Sequence, residues 1–376
     1  MFSYRTNWKL STNRFTQTLE EFRNAGRALL DLTISNPTQC GLRYDTETVL
    51  SAFQKPESLT YDPQPKGLLS ARKEVASYYR TDYNTGIDPE SIVLTTSTSE
   101  AYSFIFRLLC DPIDEVLVPK PGYPLFDFLA GLQDIALVPY SLEYAQEWLI
   151  DFHSIEQALT ERTRAILLVH PNNPTGSYVR SEEIARLNCI CRERQLALIV
   201  DEVFLDYSFD GNSRRSFVAN NEALTFTLSG LSKISALPQM KVAWLVCTGP
   251  DEMTRGAMER LEVIADTYLS LNAPTQSAFP SLLKQRHSLQ RQLSDRIRTN
   301  RAALIRQLST NATCELLEAA GGWYAVLRVP ATQSDEDCAI RLIREQNVIT
   351  HPGHFFDFPR DGFLVVSLIT PIEQFS

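Results

Sequence analysis

Seven short apolar segments recur between residues 90 and 250, and helical patterns lie between several of them. Each segment is rich in aliphatic and β-branched residues along its whole length. Strands that are apolar on both faces are typical of a parallel sheet covered by helices on both sides. The sequence therefore predicts an α/β domain with a mostly parallel central sheet. The segments are SIVLTT (91–96), DEVLVP (114–119), IALVPY (135–140), RAILLVH (164–170), ALIVDEVF (197–204), TFTLS (225–229) and VAWLVCT (242–248).

The pattern changes after Gly249. Two long helical stretches, 251–269 and 281–310, are followed by the strand-like runs GGWYAVLRVP, NVITHPG and GFLVVSLIT. This order predicts a smaller α+β unit, against which we expect the N-terminal segment to fold. A chain of 376 residues also favours two domains over one. We expect residues 45–270 to form the large domain, and residues 1–44 with 271–376 to form a discontinuous small domain.

Charge and cysteine content narrow the possible partners and compartments. The formal net charge of -9 argues against broad binding to nucleic acid or to anionic membranes. No stretch approaches membrane-spanning length, and the N-terminus lacks the apolar core of a signal peptide. The 7 cysteines are scattered, and Cys189 and Cys191 have no histidine nearby. We therefore expect a cytoplasmic protein with reduced thiols and no metal site.

Three successive strand candidates end in three different functional groups. RAILLVH stops at PNNPTG, where the prolines end the ladder, so Asn173 lies at a carboxyl end. The next strand ends in Asp201, whose carboxylate needs a cation or donors if it is buried, and the third leads to Lys233. Parallel sheets bind ligands at this edge. A turn-capping Asn or a structural ion pair explains each residue singly, but the three together indicate a site.

Two further segments add to this set. IVLTTSTSEAYSF passes from a strand into a helix through hydroxyl residues that include Ser97 and Thr98. Hydroxyls and free amides at a helix N-terminus can bind phosphate, although Ser and Thr also cap helices without any ligand. In PKPGYPLF, Tyr123 lies between prolines and is either a packed aromatic or a flat surface for a ring. All these groups together suit a flat, anionic pyridine aldehyde.

The order and intervals of these motifs resemble those of the class I/II aminotransferases, which are fold-type I enzymes dependent on pyridoxal 5′-phosphate (PLP). The resemblance runs from about Asp31 to about Ser367, and only the set of motifs is specific. It implies the three-layer PLP-dependent transferase fold with a smaller α+β domain. The motifs are YDPQPKGLLSARK, TTSTSEA, PKPGYPLF, NNPTG, DEVFLDY and SGLSKISALPQMK.

The resemblance assigns roles around the cofactor ring. Lys233 matches the lysine that forms the Schiff base and then moves a proton. Asp201 matches the acid that faces the pyridine nitrogen and keeps it protonated. Asn173 matches the residue that bonds the ring hydroxyl, and Tyr123 matches the stacking aromatic. The implied reaction moves an amino group from an amino acid to a 2-oxo acid.

The resemblance also assigns the cofactor's phosphate. Ser97, Thr98 and Ser232 match phosphate-binding positions. Lys241 stands where the family usually has an Arg, so it would contribute a point charge without the bidentate fork. Tyr61 matches a tyrosine that reaches the phosphate from the neighbouring subunit, which implies a homodimer with shared active sites.

Several positions depart from the family pattern. Phe204 replaces a Tyr that bonds the ring hydroxyl in many members. Val365 stands where the family has an Arg for the substrate carboxylate, two residues before Ser367. Members usually carry a further helix after this strand, so we expect a short or truncated chain. Candidate replacements for the missing arginine are Arg43, Arg328, Arg360, His351 and His354.

Two alternative functions stay open on these residues. One is another PLP reaction on an amino acid, namely decarboxylation, β-elimination or racemisation, because the missing arginine changes how the substrate is held. The other is a non-catalytic PLP-sensing regulator. Such regulators carry a DNA-binding domain, for which the chain has no room before residue 31.

Overall fold

A computed structural model describes residues 1–210, 215–310 and 313–375. The strands are β1 Leu30–Asp31, β2 Ile92–Thr95, β3 Glu115–Lys120, β4 Ala136–Tyr144, β5 Trp148–Ile150, β6 Thr163–Val169, β7 Ala197–Asp201, β8 Thr225–Gly230, β9 Ala243–Thr248, β10 Glu315–Leu316, β11 Tyr324–Arg328, β12 Val348–Ile349, β13 His351–Pro352 and β14 Phe363–Ser367. The α-helices are α1 Arg14–Asn24, α2 Thr46–Ser51, α3 Leu69–Tyr83, α4 Thr98–Leu109, α5 Phe126–Gly131, α6 Phe152–Ala158, α7 Ser181–Arg194, α8 Leu231–Ile234, α9 Asp251–Tyr268, α10 Ala273–Lys284, α11 Arg286–Leu308, α12 Asp335–Gln346 and α13 Ile372–Phe375. Short 3-10 turns cover Tyr4–Thr6, Pro37–Gln39, Pro56–Leu59, Pro89–Ser91, Phe217–Ala219, Pro238–Met240 and Gly353–Phe356.

All seven predicted apolar segments form strands of one sheet. In the described residues this sheet has 8 strands in the order β2-β9-β8-β7-β6-β3-β4-β5. Strands β8, β7, β6, β3 and β4 run parallel to one another. Strand β9 is antiparallel to both of its neighbours, and β5 is antiparallel to β4. The prediction of a mostly parallel central sheet is confirmed.

Helices cover both faces of this sheet, as the uniformly apolar strands predict. Alternate residues of one strand enter different cores: Leu167 packs with α4 and α9, whereas Ile166 and Leu168 pack with α7. Near the β2 edge, α3 and α10 complete the second face, where the fully buried Trp244 contacts Phe279. The result is the three-layer α/β arrangement.

A second sheet forms from the C-terminal part of the chain. Its order is β10-β11-β14-β13, and all its pairs are antiparallel. The N-terminal segment packs beside it, because β1 pairs in parallel with β12 and Phe15 of α1 joins Ile340 and Ile343 of α12. The division into 45–270 and 1–44 with 271–376 stays a prediction.

The predicted long helix over 281–310 is two helices, α10 and α11, which meet at Gln285. At this point the buried Arg286 guanidinium donates to the Leu283 carbonyl and to both oxygens of Asp82. These side-chain bonds compete with the helical ladder, which sequence periodicity cannot reveal. Among the described residues, no helix combines the length and apolar character needed to cross a membrane.

Candidate active site

The carboxyl ends of three neighbouring strands bring Asn173, Asp201 and Lys233 to one edge of the large sheet. Strand β7 lies between β6 and β8, and all three are parallel. In the register of these strands, Asp201 stands beside Val169 and Leu228. The loop after β6 carries Asn173, and α8 follows β8 directly and carries Lys233.

Asp201 is a buried carboxylate held by two donors. Its side chain accepts hydrogen bonds from the Val203 amide at 3.0 Å and from the Tyr102 hydroxyl at 3.0 Å. Burial raises the pKa of Asp201 to about 6, and the two hydrogen bonds and the charge of Lys233 oppose that shift. Burial therefore disfavours the ionised form of Asp201, and a cation bound beside the carboxylate would stabilise it.

Lys233 carries its amine into an aromatic corner. Its Nζ lies 4.9 Å from the centre of the Trp323 ring and 5.6 Å from that of Phe204. The nearest acceptor is the Ser35 carbonyl at 3.5 Å, a long contact. Burial lowers the pKa of Lys233 to about 8, and the charge of Asp201 acts in the opposite direction. A substantial fraction of this amine is neutral near physiological pH.

Asn173 lies in a tightly bonded loop after β6. The neighbouring Asn172 side chain accepts from the amide of Thr175 at 3.2 Å and from its hydroxyl at 2.8 Å, which fixes the turn. Asn173 itself is buried, and its Oδ1 has no hydrogen-bond partner within the described ranges. An unpartnered buried amide oxygen is costly, so a ligand that donates a hydrogen bond to it would be favoured here.

Residues 96–98 form the turn between β2 and α4. Ser97 caps α4, and its Oγ accepts from the Glu100 amide at 3.2 Å, so the hydroxyl proton stays available to a ligand. The Glu100 carboxylate accepts hydrogen bonds from the Thr96 amide at 2.7 Å and from the Ser270 hydroxyl at 2.8 Å. Thr98 begins the helix. The helix N-terminus points this group of donors at the same sheet edge as Asp201.

The reversed direction of β9 explains where Lys241 lies. Lys241 precedes β9 by two residues, and Ala243 at the start of β9 pairs with Thr95 at the end of β2. Because β9 is antiparallel, its first residues lie at the carboxyl edge of the parallel strands. The exposed Lys241 therefore stands on the strand next to the one that leads into the 96–98 turn.

The segment before Lys233 is packed too closely for a larger residue at position 230. A β-carbon on Gly230 would lie 2.9 Å from the Ala243 β-carbon and 2.9 Å from the Val242 carbonyl oxygen. A side chain at this position would therefore require β9 to move. Ser232, which directly precedes Lys233, is partly buried.

Tyr123 lies at the entrance of the site. Its ring packs edge-on against Phe126 at 5.7 Å and is 39% exposed. Burial raises the pKa of Tyr123, and the charge of Asp201 adds to this shift. The loop is tied to the second sheet: the Gly122 amide donates to the Phe356 carbonyl at 2.9 Å, and Lys120 pairs with Asp357.

Tyr61 is not part of this cluster within one chain. It is 80% exposed and lies beside Leu59, which is 92% exposed. Both line a groove of about 370 Å³ together with Ser270 and Asn272. Ser270 is the residue whose hydroxyl bonds Glu100, so the groove and the 96–98 turn share a wall.

The position of the family's carboxylate-binding arginine is filled by an apolar side chain. Val365 is fully buried in β14, where it pairs with Val326 and His351. Among the described contacts, none of the candidate replacements meets Lys233, Asp201 or Asn173. Arg43 is exposed, Arg328 pairs with Glu315, Arg360 lies over Phe363, His351 packs against Phe355 and Phe356, and His354 is exposed.

Sequence reasoning missed four residues that surround the strand-end groups. Tyr102 bonds Asp201, Trp323 underlies the Lys233 amine, the Tyr207 hydroxyl donates to the Lys233 carbonyl at 2.6 Å, and the Ser35 carbonyl faces Nζ. Only Tyr102 had a usable signal, because it follows Thr98 by four residues on one helix face. Across residues 1–210, 215–310 and 313–375, no three metal-ligating side chains come together.

Comparisons with known proteins identify the family of the chain. The family model described as "Aminotransferase class I and II" matches residues 27–371. The chain is 28% identical to the glutamate-pyruvate aminotransferase AlaA of Haemophilus influenzae over 357 residues, which is 91% of this chain and 87% of that protein. It is 25% identical to the S-alkyl-thiohydroximate lyase SUR1 of Arabidopsis thaliana over 323 residues, 82% of this chain and 68% of that protein.

The fold has solved counterparts as well. An alanine aminotransferase from Pyrococcus furiosus superimposes with a TM-score of 0.89 at 21% identity, covering 99% of this chain and 96% of that one. At this identity the likeness concerns the fold alone. The family match covers nearly the whole chain, including every motif that forms the site. The chain belongs to the class I and II aminotransferases, the PLP-dependent enzymes that transfer amino groups.

Proposed function

We propose that Lys233, Asp201 and Asn173 form the catalytic centre at which this chain moves an amino group from an amino acid to a 2-oxo acid. One observation carries the proposal. An amine of lowered pKa and a carboxylate of raised pKa end neighbouring strands of one sheet, each exerting its charge on the other. Opposed shifts of this kind mark acid–base sites.

The residues at this edge fit PLP. The buried Asn173 Oδ1 has no partner in the described chain, so this amide is free to turn and bond a ring hydroxyl. Asp201 accepts two hydrogen bonds but forms no ion pair in the described chain, which suits a protonated pyridine nitrogen. When bound, PLP supplies an electron-withdrawing ring that makes the proton on the substrate's Cα acidic.

The chain's own residues then divide the work. Lys233 holds the cofactor covalently between turnovers, and its neutral amine takes the Cα proton and returns it. The rings of Phe204 and Trp323 lie beside Nζ, and burial lowers the pKa of Lys233 to about 8, so that the amine is a usable base near neutral pH. Asp201 keeps a proton on the pyridine nitrogen, and Tyr123 orients the ring by stacking.

We assign the phosphate to the turn at the start of α4. The amides and hydroxyls of Ser97 and Thr98 donate to it, and Ser232 adds a hydroxyl from the segment after β8. Lys241, on the strand beside the turn, contributes charge without the two-pronged geometry of an arginine. Glu100 already occupies the Thr96 amide, so that amide is not counted among the donors.

We further propose a homodimer in which Tyr61 of each chain reaches the phosphate of the other. Support comes from the exposure of Tyr61 and Leu59, at 80% and 92%, beside a groove that adjoins the 96–98 turn. Mixing the inactive Lys233→Ala and Tyr61→Ala proteins tests this. Subunit exchange should restore about a quarter of wild-type activity, because one of the two sites in a mixed dimer is intact. No restoration would mean that the sites are not shared.

For the substrates we propose glutamate as amino donor and pyruvate as acceptor, the pair in the printed name of AlaA from Haemophilus influenzae. A panel of amino donors with pyruvate and 2-oxoglutarate would rank them. Preference for an aromatic or basic donor by more than about tenfold would overturn this pair.

The central test is the variant Lys233→Ala. It should lose amino transfer, the visible absorbance of protein-bound PLP and borohydride-stable labelling together. Lys284→Ala is the matched control, because Lys284 is exposed on α10 and outside the site. Retention of labelled protein in Lys233→Ala would remove the proposed role.

A second candidate function is β-elimination from a sulfur-bearing amino acid. The likeness to the lyase SUR1 and the presence of Val365 in place of an arginine favour it. Incubation with S-alkyl cysteine separates the two reactions, because a lyase releases pyruvate, ammonia and a thiol without any 2-oxo acid acceptor.

We also propose a cytoplasmic location, which the seven unpaired cysteines support.

A further inference from the structure

Tyr102 touches the acid of the proposed site from inside the protein. It lies on α4 and is 2% exposed, and its hydroxyl donates to Asp201 Oδ2 at 3.0 Å. The other oxygen, Oδ1, accepts from the Val203 amide at 3.0 Å. With one donor on each oxygen, the plane and position of the carboxylate are fixed before any ligand arrives.

The same side chain also supports the stacking aromatic. The Tyr102 ring packs edge-on against Phe126 at 5.3 Å, and Phe126 packs edge-on against Tyr123 at 5.7 Å. The Tyr102 hydroxyl is therefore bonded to Asp201, which would pair with the nitrogen of the cofactor. The Tyr102 ring supports, through Phe126, the Tyr123 ring that would stack on the cofactor.

One helix carries both ends of this arrangement. Thr98 begins α4 in the phosphate turn, and Tyr102 follows four residues later on the same face. Four residues of α-helix rise about 6 Å, which is on the scale of a pyridine ring with its phosphate arm. The helix thus sets the spacing between the donors for the tail and the donor to Asp201.

We propose that Tyr102 is a positioning residue that keeps Asp201 ionised and aimed at the nitrogen of the cofactor ring. This inference rests on the proposed function of Asp201. A hydroxyl that donates to a carboxylate stabilises the charged form, which burial alone would disfavour. Without the hydroxyl, Asp201 should take up a proton at higher pH and lose its charge where the enzyme needs it.

The other ionisable groups around Asp201 come from three elements. Lys233 on α8 and Tyr123 in the loop before α5 face it, and the adjoining Glu202 lies buried behind it. Glu202 accepts from the Ser216 hydroxyl and the Phe217 amide, both at 2.6 Å. None of these contacts involves Tyr102, so its hydroxyl can be removed without breaking them.

The test compares Tyr102→Phe with wild type by the pH dependence of PLP affinity in the cofactor-free protein. The pH at which binding weakens on the acid side (the acid limb) should move up by about one unit, which gives about fivefold weaker binding at pH 6 and little change at pH 8.5. Tyr140→Phe is the control, because it removes a buried hydroxyl that bonds the Leu167 carbonyl at 2.9 Å, away from Asp201. An unchanged limb in Tyr102→Phe overturns the proposal.

A second measurement covers the case in which Tyr102→Phe does not fold. Incorporating 3-fluorotyrosine at position 102 keeps the ring and makes the hydroxyl a stronger donor, so the acid limb should move down. The pyridine nitrogen of ¹⁵N-labelled PLP reports its protonation directly by NMR. If Tyr102 only supported packing, its replacement would lower stability equally at every pH. It would change neither the acid-side pH dependence of PLP binding nor the ¹⁵N signal of the pyridine nitrogen.

Failure of the proposed function would look different. If wild-type protein did not bind PLP at all, the role of Asp201 toward the cofactor would fall. The link between Tyr102 and Asp201 would still be measurable by ¹³C NMR titration of aspartate carboxyls in the cofactor-free protein, with Asp201→Asn identifying the signal. An equal Asp201 midpoint in wild type and Tyr102→Phe would then overturn the inference by itself.

Discussion

Gly176 and Gly321 are in direct backbone contact across the candidate site. The Gly321 amide donates to the Gly176 carbonyl at 3.0 Å, and a β-carbon on Gly176 would lie 2.4 Å from the Gly321 carbonyl oxygen. The contact joins the loop that carries Asn173 to the segment that leads into Trp323. Two walls of the site, one on each sheet, are therefore held at a fixed separation that only glycine permits.

Replacing Gly176 by Ala should damage both stability and activity. The residue has φ +71, and the added methyl group meets backbone that cannot move aside. We expect a loss of about 2 kcal/mol or more in the free energy of unfolding, measured by urea denaturation. Gly131→Ala is the control, because a β-carbon there meets nothing within 4 Å. Equal stability of the two variants would contradict the close backbone contact between Gly176 and Gly321.

Asp201→Asn should stabilise the cofactor-free protein while abolishing activity. The pKa of Asp201 is raised to about 6, so its neutral form favours folding and that contribution is lost as pH rises toward 6. At pH 8 the free energy of unfolding of the variant should exceed that of the wild type by up to about 3 kcal/mol, because the folded-state pKa of Asp201 lies about two pH units above its ordinary value. Thermal unfolding from pH 4 to pH 8 measures this gain, which should vanish near pH 4. Amino transfer should fall at least about a hundredfold.

The amine of Lys233 should titrate well below an ordinary lysine. Burial lowers its pKa to about 8, so the rate at which cofactor-free protein captures PLP should rise with pH, with a midpoint near 8 and a plateau above about 9. In Asp201→Asn the midpoint should fall further, because the charge of Asp201 raises this pKa in the wild type. Stopped-flow absorbance gives both midpoints, and one above 10 would contradict the environment described for Nζ.

Lys241→Ala should weaken PLP binding only through the phosphate group. Removing one partly solvated point charge near the 96–98 turn should reduce PLP affinity about tenfold, which corresponds to about 1.4 kcal/mol. Pyridoxal, which lacks the phosphate, should bind the variant and the wild type equally. Lys241→Arg should bind PLP at least as tightly as wild type, because it restores a fork of donors. A loss of pyridoxal affinity would place Lys241 elsewhere in the mechanism.

Much of the large sheet was predictable because seven of its 8 strands coincide with apolar segments of the sequence; β5 was not among them. All seven segments are strands, and the positions of Asn173, Asp201 and Lys233 follow from where those segments end. Strand order was not readable, since pairing depends on packing between segments distant in sequence. The antiparallel β9 is the clearest case: its direction puts Lys241 at the carboxyl edge of the parallel strands, yet nothing in VAWLVCT specifies direction.

The surroundings of the site were harder to predict than its centre. Tyr102, Trp323 and Ser35 come from three separate parts of the chain and meet the strand-end residues only through tertiary packing. The spacing from Thr98 indicates the face of α4 on which Tyr102 lies, but only the folded chain shows that its hydroxyl bonds Asp201. The valine at position 365 was visible in the sequence, but only the folded chain shows that the candidate replacements Arg328 and Arg360 lie against Glu315 and Phe363 instead of the strand-end residues.

The bonds from the Tyr123 loop to Phe356 and Asp357 have a consequence for how tightly the cofactor is retained. Because Gly122 and Lys120 are attached to the 353–357 segment, any inward movement of that segment carries the aromatic ring with it. If a bound amino acid draws that segment inward, occupancy by the amino acid and retention of the cofactor become linked equilibria, each strengthening the other by the same factor. Dialysis should strip the cofactor more slowly from protein saturated with an unreactive amino acid analogue than from protein in buffer.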